Sequence, residues 1–331
     1  MRGALAALVA LALAAPASIA SARSDPSPQS SSQPVVVAIG GDSWLIPGRF
    51  PEGQSPDGNS VILKGSEGLI LVDTGRRAGH VGSIMGAVFG LGDARPVAIV
   101  NTHWHLDHIS GNPMLRHSWP RIKVYGTSAI DGALTGFLAN SAAASRKALE
   151  AGTIPATAVA DVKGDLATIE RGQELRPDVL VDEPSDMAIA GRPLSLRVAH
   201  HAVTERDLWI YDAAEKRAIV GDLVTVPVPF LDTACPDGWL TALDEVAASG
   251  AEQIVPGHGP IMTITDFNRW RGAFGDFIAC AKGASALETC SAGWAAGAAK
   301  WIGDDTVRAK AMADYYGELV RSKKLDGYCR A

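Results

Sequence analysis

The sequence has little of several features that define other classes of protein. Its four cysteines include no Cys-x-x-Cys pair, which argues against a zinc ribbon. No Gly-x-Ser-x-Gly segment is present, so the nucleophile elbow of a serine hydrolase is missing. The formal net charge is −6, so the surface has no basic excess to attract phosphate backbones. We therefore expect no nucleic-acid partner.

The first residues have the layout of a secretory signal peptide. A basic start precedes an apolar run from Ala4 to Ala15, which is too short to span a membrane. Sites of the form small-x-Ala end at Ala20 and Ala22, and we predict that residues 1–22 are removed. We therefore expect a protein secreted to the periplasm, with no stable membrane insertion.

The remaining chain divides by composition. Residues 23–34 are rich in Ser, Pro and Gln, which predicts a disordered linker. Residues 35–262 alternate between short apolar runs, typical of strands, and helical stretches, which is typical of an α/β domain. From residue 263 to 331 the pattern is helical and predicts a C-terminal extension.

The four cysteines are candidates for disulfide bonds, because an oxidising compartment lets such bonds persist. Four cysteines allow three pairings. We predict that Cys280 pairs with Cys290, and Cys235 with Cys329.

A short loop rich in histidine follows residues 97–100, which are predicted to form a buried strand. His103, His105 and His108 bring three imidazoles to this loop, and Asp107 adds a carboxylate. Zinc and non-haem iron prefer these ligands, and the spacing suits two neighbouring metal ions. A solvated polar loop is the alternative interpretation.

Three further side chains of ligand type stand at the ends of apolar runs, with a glycine next to them or two residues away: Asp73, Asp222 and His258. Active sites of α/β proteins tend to lie where strands end, and glycine lets the backbone come close. Because four such strand ends occur along one chain, a metal site is favoured over a solvated loop.

The motifs occur in the order Asp73-Thr74-Gly75, His103-x-His105-x-Asp107-His108, Gly221-Asp222 and Gly257-His258. This order resembles the metallo-β-lactamase superfamily over about residues 35–262. The resemblance implies an α/β protein with an αβ/βα four-layer sandwich and a metal pair in a cleft at one edge. Here a C-terminal helical extension follows that sandwich.

The resemblance also implies a role for each residue, with two Zn²⁺ as the expected cofactors and iron as the alternative. The implied ligands are His103 and His105 for the first metal, Asp107, His108 and His258 for the second, and Asp222 as the bridge. Asp73 would steady the ligands by hydrogen bonding. Asp107 would also orient the attacking hydroxide.

One ligand departs from the family pattern. Members usually carry a third histidine for the first metal directly before a threonine, and here Val203 precedes Thr204. A loop longer by about two residues would let His200 or His201 replace it. Adjacent residues on an extended segment point to opposite sides, so only one of the pair is expected to reach the metal. We favour His201, with His200 as the alternative, and a third interpretation leaves the first metal weakly held.

A hydroxide shared by two metals attacks carbonyl groups near neutral pH. The predicted function is therefore hydrolysis of a small ester, thioester, lactone or lactam. An aspartate at position 222 resembles the glyoxalase II, lactonase and quinoprotein-associated periplasmic branches of the superfamily.

Two other functions compete with hydrolysis. A persulfide dioxygenase uses a similar set of ligands on one iron ion. A non-catalytic periplasmic binding protein on a decayed metal site would explain Val203.

Overall fold

The structure is a computed structural model and describes residues 35–330. The predicted signal peptide and linker, residues 1–22 and 23–34, lie outside these described residues. Within residues 35–330, no helix combines the length and the apolar character that a membrane crossing requires.

Two mixed β-sheets form the centre of the described chain. The strands of the first sheet are β1 (Val37–Ala38), β2 (Ser43–Ile46), β3 (Ser60–Gly65), β4 (Gly68–Val72), β5 (Pro96–Val100), β6 (Lys123–Gly126) and β7 (Val179–Leu180). Those of the second are β8 (Ser185–Ile189), β9 (Arg192–His200), β10 (Arg206–Asp212), β11 (Arg217–Gly221), β12 (Gln253–Pro256) and β13 (Met262–Thr263). Neighbours in the first sheet follow chain order, and the second sheet runs β13-β12-β11-β10-β9-β8.

The helices lie outside the sheets. They are α1 (Ala78–Gly90), α2 (Leu106–Ile109), α3 (Asn112–Ser118), α4 (Ala129–Thr135), α5 (Phe137–Glu150), α6 (Val159–Glu170), α7 (Gly172–Leu175), α8 (Pro236–Ala248), α9 (Ile264–Lys282), α10 (Leu287–Gly297), α11 (Ala299–Ile302) and α12 (Thr306–Arg321). A short 3-10 helix, Asp326–Cys329, follows α12.

The strands of the first sheet are apolar on both faces because both faces are covered. On β3 and β4, Val61 pairs with Val72 and Ile62 pairs with Leu71. The first pair belongs to the core between the two sheets, and the second belongs to a core shared with α1. Successive side chains of a strand point to opposite faces, so a strand buried on both sides appears as a continuous apolar run.

The C-terminal helices cover the outer face of the second sheet. Trp209 of β10 shares one apolar core with Trp239 of α8, Phe274 of α9, Trp294 of α10 and Tyr316 of α12. The layers are therefore helices, sheet, sheet and helices. The predicted αβ/βα sandwich with a helical C-terminal extension is confirmed.

Both predicted disulfide bonds are confirmed. Cys235, directly before α8, pairs with Cys329 in the 3-10 helix. Cys280 of α9 pairs with Cys290 of α10. The first bond ties the end of the chain to the loop before α8, and the second joins two C-terminal helices to each other.

Candidate metal centre

The sheet topology brings the predicted ligands to one edge. In the first sheet β4 and β5 are parallel, and in the second β11 and β12 are parallel. Asp73 follows β4 and the histidine-rich loop follows β5, while Asp222 follows β11 and His258 follows β12. The carboxyl ends of parallel strands meet at the same edge of a sheet. Two strand pairs therefore deliver side chains from both sheets to one cleft.

A short helix fixes the second half of the histidine-rich loop. His105 directly precedes α2, and the His108 N–H donates to the His105 carbonyl at 3.0 Å. The His108 carbonyl accepts hydrogen bonds from Thr74 Oγ1 at 3.1 Å and from Asn101 Nδ2 at 3.2 Å. Asn112 Nδ2 in turn donates to Asn101 Oδ1 at 2.7 Å. The backbone at His108 is therefore held by buried polar side chains.

Four buried side chains surround one point: Asp107, His108, Asp222 and His258. His108 Nε2 lies 3.1 Å from Asp222 Oδ1, 3.4 Å from His258 Nε2 and 3.8 Å from Asp107 Oδ2. His258 Nε2 lies 3.1 Å from Asp107 Oδ2 and 3.4 Å from Asp222 Oδ1. We call these four residues the tetrad.

Three donors of the tetrad, from Asp107, His108 and His258, lie within 4.8 Å of one another and have the spacing of three corners of a tetrahedral metal site. Zinc bonds of about 2.0–2.1 Å to nitrogen and oxygen place the ligand atoms of a tetrahedron about 3.3–3.4 Å apart. The five measured separations within the tetrad lie between 3.1 and 3.8 Å. The donor set and its spacing therefore fit a divalent metal such as zinc.

The neighbouring centre contains His103 and the other oxygen of Asp222. His103 Nε2 lies 3.6 Å from Asp222 Oδ2. Within the described chain, His103 Nε2 and Asp222 Oδ1 are buried atoms without a hydrogen-bond partner. Buried polar atoms normally have partners, so these two atoms point to a ligand that satisfies them.

Asp73 orients two of the histidines. Its Oδ2 accepts hydrogen bonds from His108 Nδ1 at 2.8 Å and from Thr102 Oγ1 at 2.7 Å. Because Thr102 gives its one hydroxyl proton to Asp73, it accepts from His103 Nδ1, 3.0 Å away. On both rings Nδ1 is therefore the hydrogen-bond donor, and Nε2 is the nitrogen left to face the site. This is the role that the sequence predicted for Asp73.

Replacing Asp73 with asparagine is expected to weaken zinc binding by roughly 10–100-fold, since outer hydrogen-bond partners tune metal ligands by about that factor. The amide cannot accept from His108 and Thr102 as a carboxylate does. Competition with a chromophoric chelator measures the affinity. Asp276→Asn, an exposed carboxylate on α9, is the matched control. Equal zinc affinity for both variants would show that Asp73 does not act through the ligands.

A buried ion pair between Arg76 and Asp165 lies next to the Oδ1 atom of Asp107. The guanidinium of Arg76 contacts Asp165 at 2.6 Å and lies 3.5 Å from Asp107 Oδ1. Burial alone would raise the pKa of the Asp107 carboxyl, but His108, His258 and Arg76 together hold it well below its usual range. Asp107 is therefore an anion available to a metal. No local sequence pattern indicates the pairing of Arg76 with Asp165, because 89 residues separate them.

The charges of the tetrad favour a cation. Burial opposes protonation of His258, yet Asp222 and Asp107 raise its pKa to about 9. Burial lowers the pKa of His105 to about 4, so this imidazole is neutral at neutral pH. A divalent cation can therefore replace the proton that the two carboxylates hold on His258.

The structure does not bring the predicted third imidazole of the first metal to the site. His201 has a positive φ of 50°, and its Nδ1 lies 3.0 Å from the carbonyl oxygen of Tyr328. His200 is exposed at the end of β9, where it pairs with Arg206 of β10. The expectation that a longer loop swings one of them inward fails, because the turn after β9 is fixed by these contacts instead.

Several other residues lie close to the site. His80 of α1 is buried, and its Nε2 lies 2.9 Å from Ser60 Oγ. Phe230 lies beside the cleft, with its ring 5.4 Å from that of His258. Gly257 has no room for a side chain, because a Cβ there would collide with Asp222 Oδ1.

Sequence comparison finds a family model and curated relatives that match parts of this chain. A family model described as the metallo-beta-lactamase superfamily matches residues 56–258. A hydroxyacylglutathione hydrolase of Trichormus variabilis is 46% identical over 44 residues, which is 13% of this chain and 17% of that protein. A second, of a Nostoc species, is 46% identical over 43 residues, again 13% and 17%. The chain thus spans about a sixth of the length of these curated relatives.

Solved structures share the fold at low sequence identity. A metallo-beta-lactamase from Pontibacter korlensis has a TM-score of 0.53 at 17% identity, covering 73% of this chain and 99% of that one. A double mutant of a sec-alkyl sulfatase has a TM-score of 0.57 at 18% identity, covering 78% of this chain and 44% of that one.

Proposed function

Since this chain belongs to the metallo-β-lactamase superfamily, we propose that it is a zinc-dependent hydrolase of a small carbonyl substrate. The substrate class is an ester, thioester, lactone or lactam. The observation that carries this proposal is the group of Asp107, His108 and His258, whose donors are spaced as three corners of a tetrahedral zinc site and leave the fourth position for water. Zinc bound there would bring the pKa of a coordinated water to about 7 and polarise the carbonyl.

The protein's own residues then hold the reacting groups. Asp107 is kept ionised by its cationic neighbours, so its carboxylate can orient the attacking water. Asp73 fixes the ring of His108 through Nδ1. Burial of the ligands excludes bulk water, which strengthens each electrostatic interaction in the site.

A cavity of about 260 Å³ lies beside the tetrad and is the proposed substrate cleft. His258 forms part of its wall, and Arg49 and Phe50 form another part. The C-terminal helices contribute Trp301 and Arg308, with the Arg308 guanidinium 4.2 Å from the Phe50 ring centre. Asp57 and Asp305 also line the cavity, and Asp305 forms an ion pair with Arg308. The aromatic side chains therefore favour a compact substrate that carries an apolar group.

We also propose that the protein is exported to the periplasm. The signal-peptide pattern of residues 1–22 supports this, and so do the two disulfide bonds. Such bonds are rare where thiols are kept reduced.

A hydrolysis panel on the zinc-loaded protein tests the proposed function. The panel contains thioesters, lactones, penicillins and a carbapenem, with neutral and carboxylate-bearing members where the class offers both. We expect turnover in at least one class, lost on chelation and restored by zinc. No turnover in any class by protein of verified zinc content would contradict the proposal. Oxygen consumption with glutathione persulfide would assign the chain to the iron dioxygenases instead.

A further inference from the structure

We propose that this protein keeps one resident metal ion, bound by the tetrad, and that the neighbouring centre beside His103 does not retain a second. This inference rests on the proposed hydrolase function and states the metal content of its site. It departs from the two zinc ions that the sequence motifs imply.

The donors are divided unequally between the two centres. Within residues 35–330, two groups of three potential ligands have donor atoms that all lie within 4.8 Å of one another: Asp107, His108 and His258 form one, and His103, His108 and Asp222 form the other. His108 belongs to both groups, and its Nε2 can bind only one metal ion. A metal held with Asp107 and His258 therefore leaves His103 and Asp222 Oδ2, 3.6 Å apart, for the neighbouring centre. Within residues 35–330, His105 belongs to neither group of potential ligands whose donor atoms all lie within 4.8 Å of one another.

One ring nitrogen of His105, Nε2, is hydrogen-bonded to Thr233. Thr233 Oγ1 donates to the carbonyl oxygen of Val203 at 2.9 Å, so it accepts from His105 Nε2, 2.8 Å away. Only Nδ1 of His105 remains for a metal. The neighbouring centre therefore has at most two imidazoles and a carboxylate that it shares with the tetrad.

Val203 stands directly before Thr204, the sequence position at which the family resemblance implies a third imidazole, and its backbone is fixed on both sides. Its N–H donates to Asp207 Oδ2 at 2.9 Å, and its carbonyl accepts from Thr233. Its side chain is fully buried in the apolar core that contains Trp239. A valine here offers no donor atom.

One of the two histidines that could substitute, His201, is held away by a disulfide-bonded loop. Cys235 N–H donates to the Ala202 carbonyl at 2.9 Å, and Cys235 is bonded to Cys329. Tyr328, next to Cys329, accepts the hydrogen bond from His201 Nδ1. The disulfide bond holds the segment of Tyr328 next to the segment of His201. A turn of His201 toward His103 would therefore break the hydrogen bond between His201 Nδ1 and the Tyr328 carbonyl.

A matched pair of buried histidines tests the inference. Zinc content is measured by mass spectrometry after dialysis of the protein against metal-free buffer. We expect about one zinc per chain for the wild type and for His103→Ala. For His258→Ala we expect zinc content to fall well below one. Two retained zinc ions in the wild type, or loss of the zinc in His103→Ala with retention in His258→Ala, would overturn the inference.

Val203→His tests the assigned cause. With an imidazole restored before Thr204, we expect the retained zinc to rise from about one toward two per chain, while Val203→Ile stays at one. Circular dichroism verifies the fold of both variants. A folded Val203→His protein that still retains one zinc would overturn the assignment of Val203 as the missing ligand position.

Activity separates this inference from the proposed function. Hydrolysis by protein that holds two zinc ions would overturn the single-metal inference and leave the hydrolase proposal standing. Protein that holds one verified zinc ion and hydrolyses no substrate class would contradict the hydrolase proposal and leave the single-metal inference standing.

Discussion

Asp222→Asn is expected to lose its zinc and to reduce kcat/KM for hydrolysis by about 10³-fold or more, since metal catalysis supplies several kcal/mol of transition-state stabilisation. Asp222 Oδ1 lies 3.1 Å from His108 Nε2 and 3.4 Å from His258 Nε2, and Oδ2 faces His103. The amide keeps the shape of the side chain but removes a negative charge from a buried cluster of imidazoles.

Zinc content and kcat/KM are measured on the same preparation, with the substrate class that the panel identifies. Asp93→Asn, an exposed carboxylate after α1, is the control and should behave as wild type. Turnover by Asp222→Asn within tenfold of wild type would show that this carboxylate is not a ligand of the reacting metal.

Removing the Cys235–Cys329 bond is expected to lower the free energy of unfolding by about 5 kcal/mol, because the bond closes a long loop and restricts the unfolded chain. Its two cysteines are 94 residues apart. The Cys280–Cys290 bond, with a separation of 10 residues, should contribute only about 3 kcal/mol on the same basis.

The measurement is urea unfolding of two double variants, Cys235→Ala with Cys329→Ala and Cys280→Ala with Cys290→Ala, at one fixed zinc concentration. Each double variant serves as the control for the other. A smaller loss for the Cys235–Cys329 pair than for the Cys280–Cys290 pair would contradict the ranking by loop length.

Local sequence patterns predicted the parts of the fold and site that are local in the chain. The run at residues 97–100 predicted β5 (Pro96–Val100), since a strand buried on both faces needs no partner information to be recognised. The motif from His103 to His108 predicted the ligands of one loop for the same reason. Asp222 and His258 joined them because parallel strands end at a common edge.

The rest depends on contacts between distant parts of the chain. Nothing in the residues near Arg76 indicates that its partner is Asp165, 89 positions later. The position of His201 is decided by Tyr328, 127 residues away. The pairing of Cys235 with Cys329 was predicted from the sequence. The sequence did not indicate that the segment next to this bond holds His201 outside the site.

The proposed substrate cleft is also lined by a part of the fold other than the one that holds the metal donors. The metal donors come from the strand ends of both sheets, whereas Trp301 and Arg308 come from α11 and α12. Under the proposed function, substitutions in these two helices should change which substrates the cleft admits and leave the metal donors in place. The proposed function therefore divides between the sheets, which hold the metal donors, and the C-terminal helices, which line the proposed cleft.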